Sequence, residues 1–140
     1  MNKIKIVILT GTDGVGKTTI KKALEIKSNW KYICLDRFTD SIVYDELYLR
    51  ENRKKEFLEL EYKLSNIAEV YLVYLDCNLK EQIKRLKDKK EDIDIIKKIK
   101  KTKKLYVNYL KYTKFNSIII NTSKYNIESC VDKIIKFIGT

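Results

Sequence analysis

The chain has 140 residues, 44% of them apolar, which is enough for one sizeable core over 1–140 and excludes disordered, collagen-like and tandem-repeat architectures. Thirty Lys+Arg against nineteen Asp+Glu leave a net charge of +11, pointing to phosphate-rich ligands or nucleic acid and excluding an acidic tail. There is no histidine, so a His general base, a Ser-His or Cys-His pair and a His-ligated zinc site are excluded as well.

The first element is Ile4 to Leu9, a β-branched run that ends at a glycine loop, as a strand buried on both faces of a parallel sheet does. It is too short and too interrupted for a signal peptide or a membrane span, so no membrane partner is expected. Lys17 to Lys27 follows with Ile20, Ala23 and Leu24 at helical spacing. Tyr32 to Asp36 is a second strand, Ser41 to about Leu64 a helix and Val70 to Asp76 a third strand. Leu79 to Lys90 places Leu79, Ile83 and Leu86 on one helix face, and a basic helical stretch runs on to Tyr112. Ser117 to Asn121 is the fourth strand. The last helix has the cleanest period, Ile127, Cys130, Val131, Ile134 and Ile138, with Asn126 as its N-cap. Strand and helix alternate throughout, which predicts a three-layer α/β/α domain with a four-stranded parallel sheet and right-handed crossovers. Cys34, Cys77 and Cys130 are odd in number and widely spaced, which suits packed thiols in a reduced, cytoplasmic compartment.

Gly11-Thr12-Asp13-Gly14-Val15-Gly16-Lys17-Thr18 fits G-x-x-x-x-G-K-[ST] and stands where that pattern functions, after a strand and opening a helix. Its glycines let the backbone wrap so that successive N–H groups face a β-phosphate, and the helix N-terminus adds partial positive charge. Lys17 is placed to reach the β- and γ-phosphates of ATP, and the Thr18 hydroxyl to ligate Mg²⁺. The chain has four glycines, and three of them fall within these six positions from Gly11 to Gly16. Asp36-Arg37 follows the second strand, beside this loop if that strand neighbours the first. The aspartate there could hold the magnesium shell or take a proton from an acceptor oxygen. Arg37 could neutralise an acceptor phosphate, and an ordinary ion pair at a strand end is the other reading.

These segments resemble the thymidylate kinases and related P-loop deoxynucleoside and nucleoside-monophosphate kinases. Gly11 to Thr19 looks like their phosphate loop, including an aspartate before the second glycine and the paired threonines. Asp36-Arg37-Phe38 with Ser41 and Tyr44 looks like their Asp-Arg-aromatic signature, and Val73 to Lys90 and Ser117 to Ile138 resemble their later elements in outline. The resemblance implies a P-loop NTPase fold and a Mg²⁺-dependent transfer from ATP to a nucleotide or nucleoside acceptor. By it, Gly11, Gly14, Val15, Gly16, Lys17, Thr18 and Thr19 serve the donor triphosphate, and Asp13 faces the acceptor's sugar hydroxyl. Arg37 takes the acceptor's phosphate, Thr18 serves the metal, and Asp36 serves the magnesium shell or the acceptor oxygen.

Two departures stand out. Only Ser28 to Lys31 separates the first helix from the second strand, where the family has an extra strand and an acceptor-binding arginine. The acceptor must then be covered by the Ser41 to Leu64 helix, where Tyr44, Tyr48, Arg50 and Arg53 are candidates, solvated helix-face charges being the other reading of the two arginines. In the lid, where the family carries an arginine on the transferred phosphoryl group, this chain has Arg85 slightly upstream and then Lys87, Lys89 and Lys90. Arg85 is the candidate transferring cation, with a structural role on its helix as the alternative.

Between Leu79 and Lys104, twelve Lys+Arg against five Asp+Glu give a net +7, densest from Lys97 to Lys104. With Tyr106, Tyr109 and Tyr112 behind it, this stretch could track a nucleic-acid backbone, steer triphosphates toward the site, or be a solvated helix whose tyrosines pack on the sheet. The leading expectation is a kinase acting on a deoxynucleoside monophosphate or deoxynucleoside. A kinase or NTPase acting on nucleic-acid ends and a nucleotide sensor without turnover are the alternatives, and a homodimer is left open.

Overall fold

A computed structural model describes residues 4–12, 14–28, 33–35, 51–90 and 93–139. The elements among them are β1 (Ile4–Thr10), α1 (Lys17–Lys27), β2 (Ile33–Leu35), α2 (Glu51–Ile67), β3 (Ala68–Asp76), α3 (Leu79–Asp88), α4 (Ile93–Tyr112), β4 (Asn116–Asn121) and α5 (Ile127–Ile138). The strands form one sheet in the order β2-β1-β3-β4, and every described pairing is parallel. β1 pairs with β2 from Val7↔Ile33 to Leu9↔Leu35 and with β3 from Ile4↔Ala68 to Thr10↔Tyr74, so the strand feeding the glycine loop is central.

Period-two alternation divides the strands between two cores. Val7, Leu9, Val73 and Leu75 face Ile20 and Leu24 of α1 and Cys130, Val131, Ile134 and Ile138 of α5. Ile8, Val70, Leu72 and Tyr74 face the other way, onto Tyr106 and Tyr109 of α4, with Leu64 of α2 packed against them. Helices therefore cover both faces of the sheet, which is the layering the alternating pattern calls for.

Local sequence explains where the elements stop. Asn126 caps α5 by accepting from Ser129 N at 2.8 Å, a contact worth about 1 kcal/mol. α3 ends at Asp88 instead of Lys90, because Lys90 takes a left-handed φ of 56° and its N–H turns to the Lys87 carbonyl. Three burial expectations fail, one of them at Ile4, which is exposed at the start of β1. Ile127 is exposed although it shares the period of α5, since it opens the first turn and faces the hollow beside the glycine loop. Ile119 is exposed because β4 is the edge strand, so the near-continuous apolar run does not mean burial on both faces there. Of the helix expected from Ser41, the described part is Glu51–Ile67. No helix among the described residues is long and apolar enough to cross a membrane.

Candidate functional site: a phosphate loop braced from behind

Between β1 and α1 the chain must turn from an extended strand into a helix axis while lying against β3. Gly11 makes that possible: its φ is 147°, and a Cβ there would stand 2.4 Å from the Leu75 carbonyl oxygen, so no side chain fits without moving β3. Val15, fully buried among Leu9, Leu75 and Ile20, anchors the loop's far side in the core. Gly16, at φ 97°, is the N-cap of α1 and has no side chain to cap it, and the first turn carries no acid. The N–H groups of that turn are thus left to an external anion. Lys17 folds back across the loop and donates from Nζ to the Gly11 carbonyl at 2.7 Å. Thr18 and Thr19 follow, both exposed on the first turn of α1.

Elements distant in sequence hold this loop from outside. The Thr122 hydroxyl, from the turn after β4, donates to the Val15 carbonyl at 2.7 Å and lies 3.1 Å from the Asp76 carbonyl. Arg85 of α3 reaches the Gly14 carbonyl and the Thr122 hydroxyl from Nη1, both at 3.4 Å, and pairs with Glu81 one helical turn away at 3.6 Å. Arg85 therefore stands against the back of the loop. Beside it, Gly14, Gly16, Thr19, Arg85, Thr122 and Tyr125 help to line a hollow of about 270 Å³. The Tyr125 ring at its edge carries Lys133 Nζ 4.3 Å from the ring centroid.

Asp76 ends β3 at the same edge of the sheet. Its carboxylate accepts from Cys77 N at 2.9 Å and pairs with Lys103 of α4 at 3.2 Å. No group of three or more metal-ligating side chains occurs among the described residues. Of the candidates named from sequence, the structure gathers Gly11, Gly14, Val15, Gly16, Lys17, Thr18, Thr19 and Arg85 around one turn of chain. Asp13, Asp36, Arg37, Tyr44 and Arg50 lie outside the described residues.

The basic helix divides cleanly. Ile99, Tyr106 and Tyr109 are buried, whereas Lys97, Lys98, Lys100, Lys101 and Lys104 are exposed. Two of its three tyrosines pack under the sheet, where they cannot stack on bases. Thr122, Gln82, Asp76 and Lys103 were not singled out from sequence. For Gln82 the signal was there: with Leu79, Ile83 and Leu86 it occupies i, i+3, i+4 and i+7 of one helix face, a polar residue set in an apolar stripe.

No family model matches the sequence. A protein of Pyrococcus furiosus described as "Putative adenylate kinase" is 34% identical over 68 residues, covering 45% of this chain and 38% of that protein. The match thus spans under two fifths of the relative's length. Over whole folds, the YorR protein of Bacillus subtilis, solved in complex with phosphorylated GDP, superposes with a TM-score of 0.71 at 20% identity over 95% of both chains. Deoxyadenosine kinase from M. mycoides with bound dATP gives 0.59 at 15% identity, over 98% of this chain and 100% of that one. Shikimate kinase from Bacteroides thetaiotaomicron gives 0.53 at 20% identity, over 96% and 98%. The chain therefore has an α/β P-loop kinase-like fold.

Proposed function

We propose that the chain is a Mg²⁺-dependent phosphotransferase that moves the γ-phosphoryl group of ATP to a deoxynucleoside monophosphate, in the manner of a thymidylate kinase, or to a deoxynucleoside. The observation that carries this reading is the uncapped N-terminus of α1, opened by a left-handed Gly16, with Lys17 folded over the loop. An anion-binding turn with a cation folded over it suits a triphosphate. The kinase folds among the structural neighbours support the same class.

The Lys17 ammonium would leave the Gly11 carbonyl for the β- and γ-phosphates, and the loop's N–H groups would hold the β-phosphate. For the metal, Thr18 offers one donor, an exposed hydroxyl on the first turn of α1, and Asp36 is proposed as its partner. When bound, Mg²⁺ neutralises charge on the phosphates. Arg37, Tyr44, Arg50 and Asp13 are proposed for the acceptor, on the strength of the signature Asp36-Arg37-Phe38. Arg85 is better suited to the donor's nucleoside than to the transferred group, because it already holds Gly14 and Thr122 behind the loop and lines the adjoining hollow. Catalysis would come from positioning and charge neutralisation.

A coupled ADP-release assay with Mg²⁺ and ATP across the deoxynucleosides and their monophosphates tests this. Release that depends on an acceptor and is lost in Lys17→Ala and Arg37→Ala is the expected result. ATP binding without release for any acceptor would leave a nucleotide-binding protein without turnover, the alternative motivated by the short Ser28 to Lys31 connection.

A further inference from the structure

The groups that would touch nucleotide are not the only polar ones committed to the phosphate loop. Gln82 of α3 is fully buried, and its Nε2 donates to the Thr12 hydroxyl oxygen at 2.5 Å, where Thr12 is itself 1% exposed. Around this pair the contact is tight: a Cβ on Gly14 would lie 3.0 Å from Leu86 Cγ and 3.3 Å from Gln82 Cγ. One turn further on, Arg85 reaches the Gly14 carbonyl. One face of one helix, at Gln82, Arg85 and Leu86, thus closes on loop residues Thr12 and Gly14.

An amide and a hydroxyl are costly to bury even where, as here, one donates to the other, and an apolar pair of the same shape would pack here without that cost. What the polar pair adds is direction. It fixes the Thr12 side chain, and with it the path of the backbone that must present convergent N–H groups to a phosphate. Holding those dipoles in place before the anion arrives removes reorganisation from the binding step. The helix that supplies the brace carries Lys87 in its last turn and ends at Asp88, so a displacement of that turn reaches the loop through the same face.

We propose that Gln82 is a positioning residue: acting through Thr12, it holds the phosphate loop in its phosphate-accepting shape and ties it to α3. This rests on the nucleotide-binding reading above and adds to it a residue that touches no nucleotide.

The test titrates Mg·ATP and, separately, inorganic tripolyphosphate into the wild type, Thr12→Val, Thr12→Ser, Gln82→Met and the Thr12→Val/Gln82→Met double variant. Thermal unfolding without ligand is followed in parallel. Thr12→Val and Gln82→Met should each weaken both ligands by about tenfold, equally for the two because the loop and not the base is affected. The double variant should be no weaker than the weaker single, and Thr12→Ser, which keeps the hydroxyl, should bind as the wild type does. Affinities of both single variants within about twofold of wild type, whatever their melting temperatures, overturn the proposal and leave the contact as packing. Losses that multiply in the double variant overturn it too. Should Gln82→Met fail to fold, Thr12→Val against Thr12→Ser makes the same comparison with near-isosteric side chains. A wild type that binds neither ligand removes the nucleotide-binding reading and this inference together, whereas binding that the variants leave unchanged removes the inference alone.

Discussion

Lys103 Nζ lies 3.2 Å from the Asp76 carboxylate and also donates to the Cys77 carbonyl, so the most positively charged helix turns one lysine inward onto the carboxyl end of β3. The Lys103 side chain is largely buried and that of Asp76 only partly, which places the pair between a surface ion pair and a core one. Lys103→Met should lower stability by about 1–2 kcal/mol in urea unfolding, the carbonyl bond and the partly screened pair together. The loss should shrink in high salt without vanishing, since only the ionic part is screened. An unchanged midpoint would mean that α4 is held by its apolar face alone.

Lys17 behaves differently, because its contact in the free protein is a single bond to the Gly11 carbonyl. Lys17→Ala should shift the melting temperature by less than about 3 °C without nucleotide, the expected cost of one partly exposed hydrogen bond in a domain of this size. The rise in melting temperature that Mg·ATP produces by binding the native state should disappear. A variant that keeps that rise would show that the lysine does not hold the triphosphate.

The sequence made the sheet and the loop legible for different reasons. β1 and β3 stand out as β-branched runs because both are interior strands, covered on two faces, and α5 stands out because one face of it is apolar for its whole length. The loop is legible because its chemistry needs particular residue types at fixed spacing, down to a Gly11 that admits no Cβ against Leu75. The support behind the loop is hidden for the opposite reason. Thr122 and Gln82 reach it from 107 and 70 positions away in sequence; Thr122 belongs to no spacing pattern, and Gln82 stands in one only as a polar residue in an apolar stripe. Lys103 reads as one more residue of a solvated lysine run, although with Ile99 and Tyr106 it completes i, i+4 and i+7 of the buried face. Inward-facing polar residues look like interruptions until the element they meet is known.

Glu61 is a buried carboxylate on α2 that accepts from Thr113 Oγ at 2.6 Å, from Lys114 N at 3.1 Å and from the Tyr109 hydroxyl at 3.4 Å. Burial pushes its pKa up, with those three bonds and the nearby Lys114 charge pulling against it. The folded protein therefore holds this proton more tightly than the unfolded chain does. Glu61's contribution is greatest below the ordinary glutamate range and is lost as pH rises through the raised folded value. The stability of the wild type relative to Glu61→Gln should accordingly fall between about pH 4 and pH 7. Paired urea curves across that range would show a flat difference if burial did not dominate.

The exposed lysines of α4 should act on encounter and not on chemistry. Lys103 lies level with Asp76 at the carboxyl end of β3, while Tyr109 and Phe115 pack beside Ala68 and Val70 near its start. The half of α4 up to Lys104 thus extends toward the edge of the sheet where the phosphate loop opens, and Lys97, Lys100, Lys101 and Lys104 put a field of one sign there. Replacing these four by Gln should lower kcat/KM for ATP several-fold in low salt while leaving kcat unchanged, and the difference should close above about 0.3 M salt, where the Debye length falls below the reach of the stripe. An equal loss at every ionic strength would instead place one of these lysines in direct contact with bound substrate. Tyr106 and Tyr109 are buried beneath the same helix, so an oligonucleotide gripped by the stripe would be held by its phosphates, with a log–log salt slope that falls by about 0.7 for each lysine removed that had contacted a phosphate.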